Sequence, residues 1–444
     1  MVPWRATDDG DVTDAVVGWY ERFAHGKPGA LVVEATGIRD IPSGPLLRIS
    51  HDRYIDGLKR IVGAVKKASS GETKLFIQLI DFLSIRRRPN PEKFFNQFLK
   101  VTDRHRKALG LSGADAALVR QRLLDLTDPE LETILSEREF ESYSRGYRER
   151  VTDVEMPHIE KLPETLPGLF ASAAKRAKDA GFDGVELHYA HAYTMASFLS
   201  KRNTRSDNYG GSRANRLRLP LEVYEAVRAA VGPTYVVGCR MLTEDCIDGG
   251  SELEDSVYFA QGLATGGMDF ISLSRGGKFE DAAVPAVGQA VYPYTGKSGY
   301  ECMPHFISDA AGPFGRNATP ARQIKQALVR KGENIPLVLA GGIHSFEQAE
   351  TFLQDGTTDI IALARQSLAD PDWFEKIRSG NGDKVNTCKY TNYCEGLDQK
   401  HKTVTCQLWD RKQLGDAGVQ LTADGKRRLT APRWHANPPE DESV

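Results

Sequence analysis

The residues best suited to chemistry lie close together in His188-Tyr189-Ala190-His191-Ala192-Tyr193. Two imidazoles can hold one substrate oxygen by hydrogen bonds, and a nearby phenol can supply a proton. His188 and His191 are three apart, a spacing that a turn of helix would point one way. The pair could instead serve a zinc site, although no third ligand is apparent, or be core histidines with their hydrogen bonds satisfied. Downstream, Gly210-Gly211 permits a tight turn and Ser212 is placed to cap a helix. A second pattern sits late in the chain. Leu339-Ala340-Gly341-Gly342-Ile343 and Ile361-Ala362-Leu363-Ala364-Arg365 end apolar runs with a glycine pair and a cation. Backbone N–H groups and a guanidinium in that order suit a phosphate.

These residues need elements to position them. Apolar runs at 29–35, 74–80, 184–188, 235–241, 268–273, 336–340 and 358–364 read as strands. Helical spacing covers 12–23, 52–68, 163–180, 214–231, 252–265, 321–331, 345–355 and 370–377. Residues before the first helix would supply an eighth strand, ahead of the other seven. Uniform alternation with apolar strands implies parallel strands covered by helices. The expected fold is therefore α/β, a (β/α)8 TIM barrel. It carries long insertions after strands 3 and 6, at 81–160 and 275–319, and a C-terminal extension. A doubly wound sheet is the alternative, but no G-x-G-x-x-G follows an early strand. The barrel domain is expected over 1–380 and the extension over 381–444, with a polar, peripheral or disordered tail beyond about Asp410.

The chain has 444 residues, and 58 Lys+Arg against 60 Asp+Glu leave a formal charge of −2. That balance argues against a generic nucleic-acid partner. No apolar run approaches the roughly 18 residues that span a bilayer. The start, Met1-Val2-Pro3-Trp4-Arg5, lacks the regions of a secretory signal. Six cysteines are too few for a disulfide scaffold, so a cytoplasmic location is expected.

His188-x-x-His191-x-Tyr193, followed by Phe198-Leu199-Ser200 and the polar stretch Asn203 to Arg218, resembles the signature of the Old Yellow Enzyme family. The resemblance implies an FMN-dependent ene-reductase that takes hydride from NAD(P)H and reduces the C=C bond of an α,β-unsaturated carbonyl compound. It implies that His188 and His191 bind the substrate oxygen and that Tyr193 protonates the α carbon. Gln78 then matches the contact to the flavin pyrimidine, and Arg240 the cation near flavin N1. Ala35 matches a backbone contact, and Gly341, Gly342, Ala364 and Arg365 match the phosphate site. Pro3 and Arg5 match the family's first strand, although Arg5 stands where the family usually has Thr or Cys. Ala192 and Ala364 stand where it usually has Gly.

Cys388, Cys394 and Cys406 resemble the four-cysteine iron–sulfur motif of 2,4-dienoyl-CoA-reductase-like relatives, with Thr391 in place of one cysteine. Three thiolates need another ligand or an open iron, so an occupied cluster is not expected. Only a short polar tail follows Cys406, so a nucleotide-binding domain downstream is not expected in this chain. Arg86-Arg87-Arg88 leaves the third strand and is either a phosphate contact or a solvated run. The expected partner is a small enone or enoyl thioester, with no nucleic acid or membrane; self-association is left open. Two rival readings stand: a metal-dependent or aldolase-like barrel using His188 and His191, and a flavin-binding barrel without turnover.

Overall fold

The computed structural model describes residues 2–280, 282–292 and 312–435. Seven parallel strands form one sheet in sequential order. They are β1 Ala30–Gly37, β2 Lys74–Ile80, β3 Gly184–Tyr189, β4 Val236–Leu242, β5 Ile271–Ser274, β6 Leu337–Ala340 and β7 Ile360–Ala362. Helices Ile55–Ala68, Leu162–Ala180, Arg213–Val231, Leu253–Thr265, Ala318–Arg330 and Phe346–Gln354 connect them.

Alternation within each strand separates the two faces of the sheet. Ile77, Leu79, Val185, Leu187, Val237, Cys239, Ile271 and Leu273 are fully buried. The Tyr189 hydroxyl, on the same face, donates to the Pro220 carbonyl at 2.9 Å, so this face meets the helices. The other face turns inward. The rings of Phe76 in β2 and Phe270, just before β5, meet edge to face at 5.8 Å. Two strands lie between them, so only a curled sheet brings these rings together. Gly184 and Gly238 leave the space they fill: a Cβ on Gly238 would lie 2.2 Å from the Phe270 ring, and one on Gly184 2.5 Å from Phe76.

The expected eighth strand does not form: among the described residues no strand precedes the helix Asp14–Ala24. Pro3 has no N–H to give a ladder, and Trp4 sits at φ 53°, which bends the chain out of an extended path. Strand numbers here are therefore one lower than in the sequence reading. Val32 of β1 and Ile360 of β7, the two terminal strands of the sheet, are 44% and 47% exposed.

Residues 81–160 form short helices, including Asp103–Ala108, Ala116–Leu124, Asp128–Ile134 and Glu137–Ser144. They share a core of Phe94, Phe95, Val119, Leu123, Leu131 and Tyr143, separate from the main one. Much of the expected loop 275–319 lies outside the described residues, as do Pro438, Pro439 and Glu440-Asp441-Glu442. Of the two expectations for the tail beyond about Asp410, peripheral or disordered, the second is corrected as far as residue 435. Arg22 pairs with Asp372 and also donates to the Ala431 carbonyl at 2.9 Å and that of Pro432 at 2.6 Å. Ala431 is buried, so the tail packs onto the first helix.

Candidate active site

Strand β3 delivers His188 to the inner face beside Arg240 of β4, its register partner. The expected helical turn between the histidines is absent. β3 ends at Tyr189, and His191 lies in the left-handed region at φ 60°. That reversal folds the second ring back onto the first, with His191 Nδ1 3.2 Å from His188 Nε2. His191 Nε2 is 3.0 Å from Ser274 Oγ at the end of β5. Both nitrogens of His191 are thus engaged within the protein, whereas His188 Nδ1 is buried without a hydrogen-bond partner. Burial, then the positive charge of Arg240, pulls the His188 pKa down to about 3. Burial, then His188, lowers His191 as well. Both rings are neutral at physiological pH, each with one donor and one acceptor nitrogen. When His191 Nδ1–H donates to His188 Nε2, the Ser274 hydroxyl donates to His191 Nε2 and His188 Nδ1–H remains as a buried donor.

Tyr193 follows as the residue before the short helix Thr194–Leu199. The Thr194 hydroxyl donates to the Asp81 carbonyl at 3.1 Å, tying this turn to the end of β2. The Tyr193 ring packs against His188, Phe82 and Phe279 at centroid distances of 5.6, 5.1 and 6.2 Å. Burial, then the charge of Asp398, raises its pKa, so the phenol keeps its proton. Ala192, the expected departure, adds its methyl to an apolar cluster with Phe279, Ala282 and Val291.

Below the histidines, Gln78 Nε2 donates to its cross-strand partner Glu186. Arg240 Nη1 donates to Ser272 Oγ at 2.9 Å. Ala35 lies where the β1–β2 register shifts between Val33 and Thr36, a bulge that re-aims the backbone. Gly341 and Gly342 follow β6 at φ 123° and 69°, conformations that favour glycine. A Cβ on Gly341 would lie 2.7 Å from the Asn317 amide, and one on Gly342 only 1.8 Å from the Pro313 carbonyl. Ala364 precedes the short helix Arg365–Ala369. Arg365 Nη1 donates to Asn392 at 2.7 Å, and the guanidinium lies over the Tyr390 ring at 4.8 Å.

An FMN is consistent with this donor set. An inward amide and guanidinium, Gln78 and Arg240, suit the polar edge of a flavin, and the orphaned Nδ1 of His188 marks a buried polar position. The glycine pair and Arg365 suit its phosphate. A four-thiolate iron–sulfur cluster does not fit. Cys388, Cys394, Cys406 and Thr391 line one small cavity beside Arg365, but the Thr391 hydroxyl is bonded by Gln407 Nε2 at 2.7 Å and brings no fourth thiolate.

Pro3 and Arg5 do not join this site. The Pro3 carbonyl accepts from Val404 N at 3.1 Å. Arg5 donates to the Val404 and Leu429 carbonyls at 3.0 and 2.6 Å and stacks on Trp19 at 4.3 Å. The arginine run leaving β2 is also committed: Arg87 and Arg88 donate to the Gly288 and Pro285 carbonyls at 3.0 and 3.1 Å. Sequence reasoning missed Ser272 and Ser274, although two serines spaced for one face at a strand's end are a usable signal. It also missed Asp398, which accepts from Trp4 Nε1 and the Tyr292 hydroxyl, both at 2.6 Å. Nothing local marks that carboxylate, because its partners come from two distant segments. Among the described residues no three His, Cys, Asp or Glu side chains assemble as metal ligands.

Comparisons with known proteins place the chain in a family. Residues 160–384 match the family model "NADH:flavin oxidoreductase / NADH oxidase family". A NADPH dehydrogenase from a Geobacillus strain is 30% identical over 371 residues, 83% of this chain and 84% of that protein. A NADH oxidase from Thermoanaerobacter brockii is 26% identical over 388 residues, 86% of this chain and 48% of that protein. The chain thus spans about half the length of the latter. An Old Yellow Enzyme homologue from Zymomonas mobilis shares the fold, with TM-score 0.52, 21% identity and coverage of 85% and 86%. No helix among the described residues is long and apolar enough to cross a membrane. The inward His188, Arg240 and Gln78, with a family match across half the chain, lead to one conclusion: the chain belongs to the NADH:flavin oxidoreductase / NADH oxidase family of enzymes.

Proposed function

We propose that the curled sheet of this chain is the TIM barrel of its family, that it binds FMN across its mouth, and that it reduces the C=C bond of an α,β-unsaturated carbonyl compound at the expense of NAD(P)H. Bound FMN would supply hydride chemistry, accepting from the nicotinamide and donating to the β carbon. Gln78 and Arg240 would hold the flavin's polar edge, Ala35 its ring through the backbone, and Gly341, Gly342, Ala364 and Arg365 its phosphate. The observation that carries the reading is the neutral histidine pair, its inner member His188 buried, beside a protonated Tyr193.

The chain's own residues then divide the work. His188 Nδ1–H donates to the carbonyl oxygen and polarises the alkene, as an oxyanion donor does. His191, fixed by Ser274, holds the His188 tautomer that exposes this donor. Tyr193 gives its proton to the α carbon and regains one from water in the cavity beside it, while Phe82 and Phe279 hold its ring. Membership of the family supports this division.

The test is to purify the protein with FMN, record its visible spectrum and measure NAD(P)H-dependent reduction of 2-cyclohexenone. Tyr193→Phe should lower turnover of this weakly activated alkene by roughly 10²-fold, the low end for a general acid. Oxidation of NAD(P)H by flavin with oxygen as acceptor should persist. A flavin-loaded protein that reduces no enone, or a Tyr193→Phe variant with full alkene turnover, refutes the assignment.

A further inference from the structure

A cavity of about 190 Å³ opens beside Tyr193 and Ala192, and its wall carries Arg148 and Phe279. Arg148 is placed there by a short antiparallel pairing with the chain leaving β2. Ile85 and Arg148 form the bridge, flanked by Arg86 N–H to the Tyr147 carbonyl at 2.8 Å and Glu149 N–H to the Ser84 carbonyl at 3.0 Å. Its guanidinium lies over the Phe279 ring at 5.1 Å, and the side chain is only 9% exposed. A buried cation is costly unless paired and hydrogen-bonded. Several other charges lining this cavity are paired as well. Glu149 accepts from Ser84 N at 2.9 Å and pairs with His158 at 3.0 Å. Arg150 pairs with Glu141 at 2.7 Å, and buried Lys278 with Asp245 at 3.3 Å. Arg148 Nη2 donates to Glu141 at 3.3 Å, and Nη1 lies 3.8 Å from Glu280. Charge-assisted bonds of this type run to about 2.7–2.9 Å. The fork is preorganised and desolvated, its carboxylate partners lie beyond that range, and it lines the same cavity as the proton donor.

We infer that Arg148 is a specificity-determining residue that docks a carboxylate carried by the unsaturated substrate, in place of its loose pair with Glu280. The enone oxygen would go to His188, and the planar guanidinium would take the carboxylate as a bidentate partner. This rests on the reading of the site as an ene-reductase and narrows its substrate to anionic enones.

The experiment compares 3-oxocyclohex-1-ene-1-carboxylate with its methyl ester, using the FMN-loaded enzyme. The expected result is a kcat/KM ratio favouring the carboxylate. That ratio should fall by about tenfold in Arg148→Met and recover in part in Arg148→Lys, which keeps the charge and loses the fork. An unchanged ratio in a folded Arg148→Met protein, or no preference in the wild type, overturns the inference. Calorimetric titration of both compounds into wild type and variants reads docking without turnover. Carboxylate binding that weakens in Arg148→Met while no alkene is reduced would sustain the anion site and refute the ene-reductase reading instead. Should Arg148→Met fail to fold, equal wild-type affinity for acid and ester overturns the inference by itself.

Discussion

Single residues in this protein are tuned mainly by burial. Tyr193 and His188 are pushed in opposite directions on the pH scale for the same reason: each charged form loses water. The consequence for His188 can be measured. Its pKa falls to about 3 in the folded protein against about 6.5 in an unfolded chain, so acid protonates the unfolded chain first. Stability from this group is therefore present above pH 6.5, lost as pH falls from there towards 3, and lost no further below that. At pH 5.5 the loss amounts to about 1 kcal/mol. Urea unfolding of wild type and His188→Gln at pH 8 and pH 5.5 should show the variant's relative stability improving by about that amount at the lower pH. Parallel shifts in the two proteins would mean that His188 titrates normally.

Elements, rather than single side chains, decide which residues reach the mouth. β3 and β4 bring His188 and Arg240 together by register, and that much follows from a two-residue period. The curl of the sheet depends on what fills it. Gly238 exists because the Phe270 ring occupies the place of its side chain. Gly238→Ala should therefore destabilise the fold by about 1–3 kcal/mol, the usual cost of overpacking. Combining it with Phe270→Leu should return part of that loss, read as a coupling in a thermal-unfolding double-mutant cycle. Strictly additive effects would show that the two do not share one space. Strands and helices were largely legible from apolar periodicity. The histidine turn was not, because a left-handed residue at 191 leaves no trace in a hydrophobic pattern. The N-terminal strand was expected from element order and from the family resemblance, and Pro3 with Trp4 overrode it.

At the scale of the whole molecule, the two ends of the chain are joined. Arg22 on the first helix pairs with Asp372 beyond the last strand, at 6% and 7% side-chain exposure, and the same guanidinium clasps the Ala431 and Pro432 carbonyls. Removing one partner of a buried pair strands a charge, so Asp372→Ala should cost about 3–5 kcal/mol. It should also expose the tail near Ala431 to limited proteolysis before the rest of the chain. Wild-type resistance at that site in the variant would mean that the tail is held independently. The C-terminal segment also carries Asp398 to the site, where Trp4 and Tyr292 bind it and its charge reinforces the protonated state of Tyr193.

Residue types and their order along the chain were enough to establish the parallel α/β class, the histidine–tyrosine cluster and the family, because periodicity and motif spacing are local properties. Which nitrogen of His188 remains open, where Arg5 and the arginine run are spent, and that Arg148 stands beside Tyr193 were settled only by the folded chain. Those outcomes depend on hydrogen bonds and burial between segments far apart in sequence, and no local pattern encodes which distant carbonyl or carboxylate will be within reach.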